Sequence, residues 1–347
     1  MKVRKILRPA IPLLLLAGTV SAEENLPTDP LFRDVQILEA SISGPLTTLV
    51  RERPQEDYLP GMFRYTDADG EEVALDLKIR TRGNFRHKEC DYPPVLLNFV
   101  KKQTRDTLFD KQNKLKLVIQ CGKSERYEQA VLREYLAYRL LNAVTDLSFR
   151  VRLLRANYVN EEKDPPYQQR YAFMIEHKKR LAERLGLQEL AIERASVSAI
   201  RPEQLNLTSV FAYFIGNTDF SPIAGPPGDK CCHNYVLFGG GDGPILAVPY
   251  DFDQSGFVDA PYAIPNPRFR IRSVRQRLYR GRCANNEYLD SSLQKFRDSR
   301  ETLYVIVRDQ VGLTDKVRKD LLKYMDSFFE IINDPRQVER KMRDRCI

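Results

Sequence analysis

Several absences narrow this 347-residue chain before any motif is considered. It has no internal repeat and no low-complexity tract, so it is neither a solenoid nor a disordered linker. Its N-terminal apolar stretch, Pro9 to Ala22, is 14 residues long, short of the roughly 20 that cross a bilayer as a helix. No cysteine follows "LLAG", so a lipoprotein anchor is unsupported. No glycine-rich turn joins a strand to a helix in the manner of a dinucleotide fingerprint. The cluster Gly239, Gly240, Gly241 and Gly243 lies between two strand-like runs and reads as a hairpin turn.

What is present fits a folded protein: 42% of residues are AVILMFWYC and 10% are aromatic. The beginning, "MKVRKILRPAIPLLLLAGTVSA", has a basic lead, an apolar middle and a small-residue end. That pattern predicts a secretory signal peptide cut after Ala22, with no transmembrane segment after cleavage. The expected location is therefore outside the cytoplasm, periplasmic or secreted. Removing Lys2, Arg4, Lys5 and Arg8 takes the formal net charge from +8 to +4. Basic and acidic residues otherwise interleave, and nucleic acid is not an expected partner.

Six cysteines remain: Cys90, Cys121, Cys231, Cys232, Cys283 and Cys346. An even count in an exported chain favours disulfides, with Cys231 and Cys232 tying down a local insert; the overall pairing stays open. A zinc site from His87 and Cys90, or from Cys231, Cys232 and His233, lacks the usual finger spacing.

Periodicity divides the chain. An N-terminal extension occupies residues 23–60. From 61 to 177 the pattern is mainly strands, including a hairpin around "DADGEE", the run "NKLKLVIQC" and the run "QRYAFMIEH". One long helix, "SERYEQAVLREYLAYRLLNAVT", interrupts them, with Ser124 as its N-cap. From 178 to 347 the pattern turns mainly helical, in "HKKRLAERLGLQELAIE", "RPEQLNLTSVFAYFIGN" and "KVRKDLLKYMDSFFEIIND". The expected fold class is α+β, a strand-rich lobe followed by a mainly helical lobe containing one hairpin.

That hairpin carries the chemistry. Its second strand runs through "ILAVPYDFDQSG" and ends in Asp251 and Asp253. Two like charges at the mouth of a buried strand need a partner. Upstream, the helix "VFAYFIGN" leads to Asp219, and Asn234 opens the first hairpin strand. In phosphoryl transfer from a nucleotide, a loop aspartate orients the acceptor hydroxyl, while an asparagine and a second aspartate hold magnesium against the phosphates. The order Asp219, Asn234, Asp251, with Asp253 beside it, fits those roles, and oxygen donors suit Mg²⁺ or Mn²⁺. On the strand-rich side, Lys116 (or Lys114 on the same face) can contact phosphates. Glu134 on the long helix, or Glu128, can fix it by an ion pair. The segment "FMIEH" falls where a hinge would offer backbone groups to an adenine ring.

The segments "IRTRGNF", "LREYLAYRLLN", "RYAFMIE", "YFIGNTD" and "VPYDFDQSG" resemble the spore-coat protein H (CotH) kinase-like family of secreted atypical kinases. The resemblance spans roughly residues 75–256. The "GNTD…HN" and "PYDFD" elements are also similar to those of HipA-type kinases. The resemblance implies a bilobal protein-kinase-like fold, ATP, a divalent metal, Asp219 as the catalytic-loop aspartate and Asp251 as a metal ligand. The sequence departs from the pattern in four places, one being that "DFDQSG" lacks the plain Asp-Phe-Gly form. Fifteen positions separate Asp219 from Asn234, and Phe220 stands where a HipA-like histidine would follow the aspartate. No glycine-rich phosphate loop is visible; Arg82, Gly83 and Asn84 offer a substitute.

The expected function is exported, metal-dependent transfer of the ATP γ-phosphoryl group to a protein or small-molecule hydroxyl. The alternatives are a catalytically inactive kinase-like envelope protein and a nucleotidyltransferase on the same fold. The arginine-rich segment 268–282 reads either as an amphipathic face or as an anion-binding platform beside the cleft.

Overall fold

The computed structural model describes residues 28–163, 167–241 and 243–347. The expected signal peptide lies outside the described residues. The chain is mixed α+β, strand-rich in its first half and helical in its second.

Seven strands form a closed barrel: β1 (Leu38–Gly44), β2 (Leu59–Thr66), β3 (Glu72–Thr81), β4 (Val95–Phe99), β5 (Lys114–Val118), β6 (Val151–Asn160) and β7 (Tyr167–Ile175). The order around it is β1-β2-β3-β4-β5-β7-β6. Antiparallel ladders join neighbours except at the closure, where β1 runs parallel to β6 with Leu38 opposite Leu154. Alternation drives this half: Phe63, Leu77, Leu97 and Leu115 point inward and are buried, while Lys114 and Lys116 face out. Gly61 lets β2 cross tightly, since a Cβ there would sit 2.8 Å from the Ser43 carbonyl oxygen.

Closure of the barrel was not legible from the local pattern. The first strand lies in what the sequence suggests is an extension, and the strand that seals it arrives more than a hundred positions later.

Among the described residues, ten helices accompany the strands. In the first half these are α1 (Pro30–Arg33), α2 (Leu46–Glu52), α3 (Phe85–Glu89) and α4 (Glu125–Val144). The second half holds α5 (Lys178–Arg184), α6 (Pro202–Ile215), α7 (Leu289–Asp298), α8 (Arg300–Arg308), α9 (Asp315–Ile332) and α10 (Pro335–Lys341). The expected long helix is α4. It packs against β6 and β7 on one side and α8 on the other, which is why it buries apolar residues on nearly every face. Ser124 occupies its N-cap position with extended backbone, but its side chain makes no capping bond.

The helix expected over "HKKRLAERLGLQELAIE" is shorter than its pattern. Gly186, at φ +63°, turns the chain out after α5, and Gln188–Glu189 become a two-residue strand, β8. β8 joins the hairpin of β9 (Tyr235–Gly239) and β10 (Leu246–Pro249) in the order β10-β9-β8. α6 runs through the centre of this half, buried from Gln204 to Ile215. It ends at Gly216, φ +66°, against the hydroxyl of Tyr324. The arginine-rich stretch 268–282 is neither helix nor strand. Three disulfides join Cys90 to Cys121, Cys231 to Cys232 and Cys283 to Cys346. Cys90, Cys231 and Cys232 are therefore taken up in disulfides rather than ligating zinc with His87 or His233.

Candidate functional site

The hairpin delivers its polar ends to one place. Asn234 directly precedes β9 and Asp251 follows β10 by two positions; the Tyr250 N–H donates to the Asn234 carbonyl at 3.0 Å. Both residues adopt left-handed backbone, φ +55° and +61°, which turns each chain sharply out of the ladder. Asx residues tolerate that region better than other side chains, and this is the local reason for Asn and Asp there. The Asp251 N–H donates to the hydroxyl of Tyr138 on α4 at 2.8 Å, fixing the corner to the helix. Phe252 turns inward between Tyr138 and Phe211, with ring centroids at 4.6 and 5.5 Å. Asp251 and Asp253 are thereby set on the two sides of a buried anchor.

Asp219 meets Asn234 despite their separation in sequence. The insert folds back on itself through paired backbone bonds between Ser221 and His233. The Asn234 carboxamide nitrogen then donates to the Asp219 carbonyl at 2.7 Å and to Oδ2 at 3.1 Å. His233 Nε2 lies 2.8 Å from Asp219 Oδ1. That hydrogen bond outweighs burial and raises the His233 pKa above its ordinary value. A histidine at the far end of the insert thus pairs with Asp219. Arg280 fixes the same loop, donating at 2.9 Å to the carbonyls of both Thr218 and Phe220.

A cationic wall from the barrel faces these carboxylates. Lys116 on β5 is exposed, with its ammonium 4.7 Å from the centre of the Tyr250 ring. Enclosure by protein lowers its pKa to about 8; neighbouring Arg82 reinforces the shift and Asp251 opposes it. Arg82 follows β3, and Arg86 lies on α3 just beyond Gly83, whose φ of +84° makes the turn.

The expected ion pair between Lys116 and Glu134 is not formed. Arg86 takes Glu134 instead, Nη1 to Oε2 at 3.8 Å, with both side chains nearly sealed from solvent. Glu128, the other candidate, accepts from the Tyr171 N–H at 2.7 Å, away from Lys116. Burial raises the Glu134 pKa well above the usual carboxylate range, and Asp253 adds to it. Asp253 is pushed up to about 7, first by burial and then by Asp251. In the Arg86 guanidinium, Tyr262 and the three carboxylates outweigh burial and hold the proton more firmly than usual. Lys114 has the exposed place its alternation predicts.

Asp251, Asp253, Glu134, Lys116, Arg82 and Arg86 therefore form one charged cluster, joined to Asp219 through the electrostatic coupling of Asp219 with Asp253. Sequence reasoning missed Arg86 and weighed His233 as a zinc ligand rather than as a partner of Asp219. A positive-φ glycine followed by basic residues signals the first; nothing local signals the second. Over the segment "FMIEH", β7 ends at Ile175 and α5 starts at Lys178, and the Glu176 N–H donates to the Arg150 carbonyl at 2.9 Å.

The donors suit a hard cation. Asp251 and Asp253 are mutually repelling carboxylates, and the Asn234 carboxamide uses its nitrogen on Asp219, which leaves its oxygen for another partner. Among the described residues, no group of three or more His, Cys, Asp or Glu side chains is close enough to hold a metal ion. The expected set contains two residues of those types, with Asn234 as the third donor. No protein-family model matches the chain, and no curated protein matches it. Among the described residues, no helix is long and apolar enough to cross a membrane.

Proposed function

We propose that the protein is an exported, metal-dependent phosphotransferase of bilobal, protein-kinase-like build, moving the γ-phosphoryl group of ATP to a hydroxyl. The observation that carries this reading is the convergence of Asp219, Asn234, Asp251 and Asp253 opposite a wall of Lys116, Arg82 and Arg86. Phosphoryl transfer needs little covalent chemistry from a protein; it needs positioning and charge compensation.

Lys116, Arg82 and Arg86 supply positive charge for the phosphates, with Arg86 oriented by Glu134. Asp219, held at both oxygens by His233 and Asn234, orients the acceptor hydroxyl and takes its proton. The acceptor oxygen then bonds to phosphorus as the bond to the nucleoside diphosphate oxygen breaks. Asp251, Asp253 and Asn234 would hold Mg²⁺ or Mn²⁺, whose chemistry is to neutralise charge on the phosphate oxygens. Three disulfides and the absence of a membrane-crossing helix among the described residues are compatible with the exported location.

The test is thermal unfolding of the chain from Glu23 with ATP, with Mg²⁺, and with both, for wild type and Asp251→Ala. A ligand that binds only the native state raises the midpoint by mass action. A joint ATP–metal shift that Asp251→Ala removes supports the reading, and no shift under any condition overturns it. A second reading, a kinase-like binding protein without catalysis, is favoured by the transfer of Glu134 from Lys116 to Arg86. It predicts nucleotide binding without phosphate transfer.

A further inference from the structure

Asp219 has a second side. A pocket of about 410 Å³ opens from Asp219 and His233 toward Arg268, Arg280 and Arg282, with Phe269 and the turn at Pro226 in its wall. Its volume falls within the range of small-molecule sites. Among the described residues, Asp219 is the only acidic one lining it, and both of that residue's carboxylate oxygens are already hydrogen-bonded.

The three arginines have no carboxylate within ion-pair distance among the described residues, whereas Arg133 on α4 and Arg275 share Asp259 and Asp320. Arg280 is clamped between the rings of Phe220 and Phe269, at 4.5 and 4.6 Å, and its Nε is buried without a partner. Burial lowers its pKa to about 10, with repulsion from Arg282 and Arg268 contributing. Three like charges converging on one concavity with so little compensation are costly, and a bound anion removes that cost.

We infer that this pocket takes an anionic acceptor: a hydroxyl compound that also carries a carboxylate or a phosphate. The inference rests on the phosphotransfer reading for the word acceptor, but the pocket's preference for anions does not. Arg268 and Arg282 hold the anion, Arg280 keeps the Asp219 loop in place, and the hydroxyl is left to Asp219. The cations of the other wall, Lys116, Arg82 and Arg86, remain for the nucleotide.

The experiment is calorimetric titration of the chain from Glu23, without nucleotide and at low salt, with glycerol 3-phosphate, glycerate and glycerol. The phosphate or carboxylate compound is expected to bind, and the stronger of the two identifies the anion. Glycerol is expected not to bind. Arg268→Ala with Arg282→Ala should weaken anion binding at least tenfold with an unchanged unfolding midpoint, while Lys116→Ala leaves it unchanged. Equal binding of glycerol, no binding of either anion, or loss in Lys116→Ala but not in the arginine variant overturns the inference. Anion binding without transfer from ATP would remove the phosphotransfer reading and leave the pocket standing. Transfer to glycerol in preference to the anions would do the reverse.

Discussion

Arg86 Nη1 stands 3.8 Å from Glu134 Oε2, joining the short helix after β3 to the long helix α4 in nearly complete burial. Removing one member of such a pair leaves the other charge unpaired, at a cost of about 3–5 kcal/mol. Arg86→Ala should therefore lower stability by that order, and Arg86→Met with Glu134→Gln should recover much of it. Urea unfolding followed by far-ultraviolet circular dichroism checks this, since the chain has no tryptophan to report by fluorescence.

Asn234 serves Asp219 with its side chain and the hairpin with its left-handed backbone. Asn234→Gly keeps the backbone and removes the carboxamide; Asn234→Ala removes the carboxamide and also strains the backbone by about 1–2 kcal/mol. Both are expected to lose ATP–metal binding, and the alanine variant should be the less stable by that margin. Equal stability of the two would show that the corner is not under conformational demand.

Asp253 ionises near 7 in the folded protein, against an ordinary value of 3.8, because burial and Asp251 disfavour its charge. A carboxyl raised in this way binds more protons folded than unfolded, so its charged form costs stability above that range and nothing below the ordinary value. In metal-free buffer, Asp253→Asn should be more stable than wild type at pH 8, by several degrees in midpoint. The gap should close as pH falls from 7 toward 4. A gap that widens on acidification would refute the assignment.

Lys116 is lowered to about 8 by its enclosure, so the group loses its charge over a range where an exposed lysine keeps it. Unfolded chains bind the extra proton between that value and the ordinary 10.5, so this lysine favours the folded state more as pH rises through the interval. Nucleotide binding should respond oppositely, weakening above pH 8 in wild type. Lys116→Arg should flatten that dependence, and Lys116→Ala should weaken binding at every pH. Titration of ATP with Mg²⁺ from pH 7 to 9.5 reads all three.

The Cys283–Cys346 disulfide spans 63 positions and ties the C-terminus to the chain beside Arg282. Loop-closure entropy for that span amounts to about 4 kcal/mol at 25 °C. Cys283→Ser with Cys346→Ser should lose stability of that order under oxidising conditions, measured by urea unfolding. It should also loosen anion binding in the pocket that Arg282 lines. Unchanged binding would mean that the bond holds the terminus alone.

What the sequence revealed follows from the range over which each signal acts. α4, α6 and the β9–β10 hairpin were legible because 3.6-residue and alternating periods are written within a few turns of chain. Asp251 could be singled out because an apolar strand ends on it. The end of α5 was misjudged because Leu185 and Leu187 continue a helical pattern that Gly186 interrupts. The contact of Asp219 with His233 depends on how a proline- and glycine-containing insert folds back, and no periodicity encodes that. Arg86 was hidden for a related reason. Its partner Glu134 lies across a disulfide-linked loop, and Lys116 occupied a strand position equally suited to the role.

The parallel seam between β1 and β6 has a consequence in time. Five strands and a twenty-residue helix must be made before the strand that seals the barrel exists. A chain emerging N-terminus first thus carries β1 and β5 as open sheet edges, each a template for pairing with another molecule. Closing so long a loop is entropically slow. The interval before β6 arrives is when this protein is most exposed to aggregation, and a nascent chain stopped before residue 151 should be the form that a holding chaperone binds best.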